Sequence, residues 1–247
     1  MKPTPPPKTQ SPVVVPLVAA FSAFALSWLG PLVFPFRLLT TIIHELSHGL
    51  AALLTGGAFV RFVVFADGSG LAYTAGGIRW IIIPAGYVGT ALFGAALITL
   101  GRSTKASRNA LGILGVALLL LTLRYALPTV FSPEIIGGLL TLGIGILIGV
   151  SFLAIAWKLP TIWSLAMLNL IAFWVGLSAL GDLRGLMLLS HFPGRSDAHA
   201  MAEITFLPPI FWAFIWAIMS ILALGAAVWS TWLQPTGARV GILPAQK

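Results

Sequence analysis

Apolar runs separated by short polar, proline- or glycine-containing breaks recur along the whole chain. Runs at 13–36, 37–55, 80–100, 110–131, 135–157, 160–180 and 207–232 each approach the roughly 20 residues an α-helix needs to cross a bilayer. They predict about seven transmembrane helices. Pro31 and Pro35 predict a kink or break near the end of the first. That run contains Ala23-Phe24-Ala25, which resembles a signal-peptide cleavage site, but it continues apolar well beyond and its leader is poor in basic character. A retained membrane segment is therefore expected. After the second run the pattern changes. Phe59 to Phe65 is rich in aromatic and β-branched residues, Asp67-Gly68-Ser69-Gly70 has turn chemistry, and Leu71 to Thr74 can pair back. This predicts a β-hairpin, whose backbone must be buried in protein or sit at the interface, because open sheet edges do not face lipid. The fold class expected is an all-α polytopic membrane protein with a small β-hairpin after its second helix. A proline-rich disordered tail is expected over 1–12, one membrane-embedded domain over 13–232 and a flexible tail over 233–247.

Composition agrees with that pattern. Only 8% of the 247 residues are charged and 58% are hydrophobic, too little polar material to clothe a soluble domain. The net charge of +8 comes from basic residues spread over the ends of apolar runs, as interfacial anchors are. A nucleic-acid partner would need them clustered on a soluble face, and none is expected. Arg and Lys fall on both sides of any alternating assignment, so they assign no orientation. With no cysteine, disulfides and thiolate metal sites are excluded.

The second run contains the exception to its own apolar pattern, His44-Glu45-Leu46-Ser47-His48. An ionisable residue at membrane depth costs roughly 2.5–3.5 kcal/mol on insertion scales, so three polar groups in five residues require a partner. On a helix, His44 and His48 project from one face. Two neutral imidazoles and a carboxylate, with one position open to water, make a site suited to a single zinc ion. H-E-x-x-H is a known metallopeptidase pattern in which the glutamate is the general base. Thr40, Thr41 and Ser47 stand close enough in sequence to support the ligands or to bond back to their own helix.

HELSH in a membrane segment, the Gly56-Gly57 pair, the hairpin and then "AGYVG" (Ala85 to Gly89) resemble the site-2-protease family of intramembrane zinc metallopeptidases, in particular its small M-fifty-B-like branch. The resemblance covers about Arg37 to Trp216 and is specific mainly at the motif. It implies His44 and His48 as ligands of one zinc ion, Glu45 as base, and an aspartate from a later membrane segment as third ligand. It also implies a membrane-anchored protein substrate and a multi-pass location, with the bacterial inner membrane the favoured one.

The Asp-Gly motif usual in the family's later membrane segment is missing; the Asp67-Gly68 pair lies in the hairpin turn. Asp182, in "SALGDLRGLM", stands at the end of a long apolar run and is the first candidate for third ligand; an ion pair with Arg184 or Arg124 is its structural alternative. Asp197 is the second candidate. Ser196 reads as an N-cap with Asp197 in the first turn after it, and a Ser-Asp-Ala string ahead of the final span is a feature of the small branch. His191, His199 and Glu203 lie in the same polar stretch. Asn169 and Val63 are weak candidates for substrate contact, the latter because Phe59 to Phe65 offers an edge to which a substrate strand can add. The reading from another class is a non-catalytic membrane protein with a structural or transport metal site, a pseudo-protease.

Overall fold

A computed structural model describes residues 14–192 and 194–233. The expected tails at 1–12 and, apart from Leu233, 233–247 lie outside the described residues. The chain runs through α1 (Val14–Leu26), a 3-10 turn (Gly30–Val33), α2 (Phe34–Leu54), β1 (Ala58–Val64), β2 (Gly70–Ala75), α3 (Arg79–Leu100) and α4 (Thr104–Tyr125). After a second 3-10 turn (Leu127–Phe131) come α5 (Ile135–Lys158), α6 (Thr161–Leu189), the short α7 (Asp197–Thr205) and α8 (Pro209–Val228), which closes on a π-turn (Trp229–Leu233).

Among the described residues, five helices have the length and composition to cross a membrane: Arg79–Leu100, Thr104–Phe131, Ile135–Lys158, Thr161–Leu189 and Pro209–Leu233. The expected seven are not reached, for two reasons. The first run does not make one span: α1 has 13 residues and ends at Leu26, where the Ser27 hydroxyl bonds back to the Phe24 carbonyl. The chain then turns through Gly30 at φ +54°, a left-handed conformation that glycine adopts at no steric cost. Pro31 and Pro35 thus mark a break and restart, in line with the kink or break expected there. The other missing span is α2, which is long enough at 21 residues but is diluted by Arg37, Thr40, Thr41 and the HELSH residues themselves.

α2 lies at the centre, with α3 and the hairpin packed directly against it and α5 and α6 behind. Leu38, Ile42 and Ala52 are fully or almost fully buried on its core faces. Gly49 lets the hairpin come close: a Cβ there would stand 2.3 Å from the Phe59 ring.

The hairpin forms as the sequence predicts, antiparallel from Ala58↔Ala75 to Val64↔Gly70 with an irregularity between Phe59 and Arg61. Burial of its inner strand follows from the rule that backbone polar groups need partners away from water. The outer edge of β1 is already bonded to protein, the Val64 N–H donating to Thr141 Oγ1 (2.8 Å) and the Phe62 carbonyl accepting from Thr129 Oγ1 (2.8 Å). Val63 is fully buried against Gly137 of α5. The edge expected at Phe59 to Phe65 is therefore occupied, and Val63 is a packing residue. On the hairpin's far side Glu134 accepts from Ser132 Oγ (2.6 Å), Tyr73 Oη (2.7 Å) and Arg61 Nη1 (2.9 Å). These three donors, the Ser132 hydroxyl foremost, hold its carboxyl down to about 2, so the latch is charged under ordinary conditions. Asn169 is also structural: its amide donates to the Gly101 carbonyl, at the end of α3, and to Leu165.

Candidate metal centre

Three side chains from two distant segments meet at one point. His44 and His48 extend from one face of α2, as their spacing requires. Asp197 arrives from α7. That helix starts where the Ser196 side chain accepts from the His199 N–H, an N-cap of the kind read from the sequence. Met201 and Ala198 then bury against Leu183, Leu186 and Trp216, fixing α7 on α6 and α8.

His44 Nε2 and His48 Nε2 are 3.1 Å apart, and each stands 3.2 Å from Asp197 Oδ2. A tetrahedral ion with ligand bonds of about 2.0–2.1 Å needs its ligand atoms about 3.3 Å from one another. The spacing fits zinc. The donor chemistry points the same way. His48 Nδ1–H donates to the Ile82 carbonyl (2.7 Å), which leaves its Nε2 as a lone pair facing the cluster in the neutral ring. Lone pairs and an anionic oxygen converging at this distance repel one another unless a cation or protons lie between them. Burial pulls the Asp197 carboxyl upward, but the imidazoles of His48 and His44 outweigh it and hold the group below the ordinary carboxylate range. The cluster is not sealed, since the side chains of His44 and Asp197 keep 19% and 27% of their accessible surface, enough for a small reactant to reach them.

The space beside the donors is kept open by glycine. A Cβ at Gly86 of α3 would lie 2.3 Å from His44 Nε2 and 2.4 Å from His48 Nε2, where a bound ion or its open ligand position would be. Gly86→Ala is therefore expected to lower zinc affinity at least as much as losing an outer support does, roughly 10–100-fold, with helix content unchanged. Metal titration followed by circular dichroism checks this, and an alanine variant that binds zinc like the parent would contradict it.

Glu45 is buried one residue beyond His44 and under the hairpin. The Ala72 backbone lies near its carboxylate, and a Cβ at Gly70 would stand 2.5 Å from Glu45 Oε1, so β2 lies directly on the glutamate. Thr41 Oγ1 donates to the Gly68 carbonyl (2.8 Å), fastening the hairpin turn to the same helix. Thr40 and Ser47 bond back to the carbonyls of Phe36 and Ile43 and do not support the ligands.

The carboxylate that joins the histidines is thus Asp197. Asp182, the first candidate from the sequence, lies outside the cluster, exposed on α6. The helix carrying it continues to Leu189, so Asp182 belongs to the wall beside the site, within the field of His44 and Arg37. His191 is exposed, His199 Nδ1 pairs with Ser196 Oγ (2.8 Å), and Glu203 is exposed; none of them enters the group.

Sequence reasoning assigned no role to Tyr87, although it stands in the "AGYVG" string. Its ring meets His44 edge to face, with centroids 4.7 Å apart and planes at 88°. A polar aromatic one residue beyond a buried glycine was the available signal.

A family model described as Peptidase M50B-like matches residues 17–227, which takes in α2, the hairpin and all three clustered side chains. No curated protein and no solved structure gives a match.

Proposed function

The chain belongs to the Peptidase M50B-like family, a family of membrane metallopeptidases, and from that premise we propose that it is a zinc-dependent endopeptidase hydrolysing a peptide bond of a membrane-anchored protein. The observation that carries the proposal is the convergence of His44, His48 and Asp197 at 3.1–3.2 Å with Glu45 next in the chain. In this reading those three side chains hold one zinc ion. The ion would supply Lewis-acid polarisation and a water acidified to a pKa of about 7. Ile82, through its carbonyl, fixes the tautomer and ring plane of His48. Glu45 takes a proton from the attacking water and returns it to the leaving amide nitrogen, so that the products are a carboxylic acid and an amine. Its burial under β2, with Gly70 directly over Oε1, holds the carboxylate in place for that transfer.

The hairpin supports a mode of substrate entry. With the outer edge of β1 bonded to Thr141 and Thr129, an added strand would have to use β2, the strand that crosses Glu45. An extended substrate segment on β2 would bring its backbone past the base. Thr74→Pro removes one N–H from that strand without touching Glu45 and is expected to raise KM by about two- to tenfold, the range of one lost hydrogen bond. An unchanged KM would dispose of strand addition.

Metal removal tests the activity itself. After treatment with 1,10-phenanthroline the protein, reconstituted in liposomes, is expected to stop cleaving single-span reporter peptides. Stoichiometric zinc should restore cleavage and magnesium should not, since the donor set is nitrogen-rich. Cleavage by metal-free protein would refute the reading.

A further inference from the structure

The residue after the glycine that opens the site packs its ring against two aromatic neighbours. The Tyr87 ring meets the His44 imidazole edge to face at 4.7 Å and stacks with the Trp216 indole at 6.0 Å and 19°. Trp216 is itself only 1% exposed, so the phenol is held against both a histidine of the metal cluster and a core side chain. That packing needs only the ring. A phenylalanine would meet both neighbours in the same way.

The hydroxyl is what packing leaves unexplained. Among the described residues it has no hydrogen-bond partner, although Asp197, Asp182 and Glu45 are the carboxylates around it. Tyr87 is half-buried, so its hydroxyl stays accessible and, with no protein partner, is free to donate to a ligand. A phenol is a neutral O–H donor at ordinary pH, and this ring is fixed beside His44, where charge would develop on a bound substrate.

We propose that Tyr87 is a catalytic residue, donating its phenol O–H to the scissile carbonyl oxygen. This rests on the metallopeptidase reading above and adds a residue to it. In the step concerned, the water oxygen bonds to the carbonyl carbon and the C=O π pair moves onto the carbonyl oxygen. The Tyr87 proton hydrogen-bonds that oxygen and stays on the phenol. The carbonyl then re-forms as the C–N bond breaks and Glu45 delivers its proton to nitrogen. A donor held in advance at the point where charge appears helps the transition state more than the ground state, so its loss shows in kcat.

The test compares wild type, Tyr87→Phe and Glu45→Gln in phosphatidylethanolamine–phosphatidylglycerol liposomes, using a fluorogenic library of single-span peptides. Four quantities are read: zinc per chain, peptide affinity with Glu45→Gln also present, KM and kcat. For Tyr87→Phe the expected result is unchanged zinc, affinity and KM, with kcat lower by roughly 10²–10³-fold, as for other lost oxyanion donors. Unchanged kcat would overturn the proposal, as would a rise in KM alone. Loss of zinc would also overturn it, by showing that Tyr87 serves only to hold the His44 ring. If instead Glu45→Gln cleaves as fast as wild type, the metallopeptidase reading itself has failed, which is a separate result from a silent Tyr87→Phe.

Discussion

Asp197→Ala is expected to release zinc and end peptide cleavage, whereas Asp182→Ala keeps zinc at the wild-type level. Asp197 Oδ2 stands 3.2 Å from both imidazole nitrogens, and removing it leaves two ligands where a catalytic zinc site has three. The loss of affinity should exceed the roughly 10–100-fold that follows removal of an outer-shell partner. The variant should still fold, because α7 is anchored by Ser196, Ala198 and Met201, and these remain. Asp182 makes no hydrogen bond or ion pair among the described residues, and its side chain is exposed. Its removal shifts only the field near His44 and Arg37. Inductively coupled plasma mass spectrometry of the two purified variants, side by side, makes the comparison. Zinc retained by Asp197→Ala and lost by Asp182→Ala would reverse the assignment.

The two aspartates show where sequence reasoning reaches and where it stops. His44, Glu45 and His48 were legible because helix periodicity alone puts the two histidines on one face, and because the apolar run around them makes polar groups costly. The hairpin was legible because the β-branched run and the Asp-Gly-Ser-Gly turn are local signals. The partner of the histidines is not local. His44 and Asp197 are 153 residues apart, and membrane depth, the argument that favoured Asp182, is a poor guide to proximity when a polar segment folds back onto the bundle. The N-cap at Ser196 and the turn after it were visible in the sequence, but the docking of α7 against Leu183, Leu186 and Trp216 was not.

The count of seven spans is not reached among the described residues for a related reason. Length and apolarity treat the run at 13–36 as one helix, yet Gly30 and two flanking prolines divide it into a 13-residue helix and the start of α2. Hydropathy also penalises α2 for the residues that give it chemistry. The choice of β1 as a free edge missed Thr129 and Thr141, whose hydroxyls reach its backbone from segments about 70 residues further along. Gly70 and Gly86 carry no signal in a glycine-rich membrane sequence, since small residues also serve helix packing there. Only their neighbours, Glu45 and the two imidazoles, show what a side chain would displace.

In the proposed mechanism the HELSH helix carries both a metal site and the base that uses it. Glu45→Gln separates the two functions, because the amide keeps the shape of the carboxylate under β2 and loses its ability to take a proton. A structural or transport site would have no use for that proton acceptor. The deciding measurement is zinc content and cleavage rate of wild type and Glu45→Gln, taken on the same liposome preparations. The expected result is equal zinc in both and a cleavage rate lower by at least about 10²-fold in the variant, the minimum credited to a positioned general base. Equal zinc with undiminished cleavage would contradict the account.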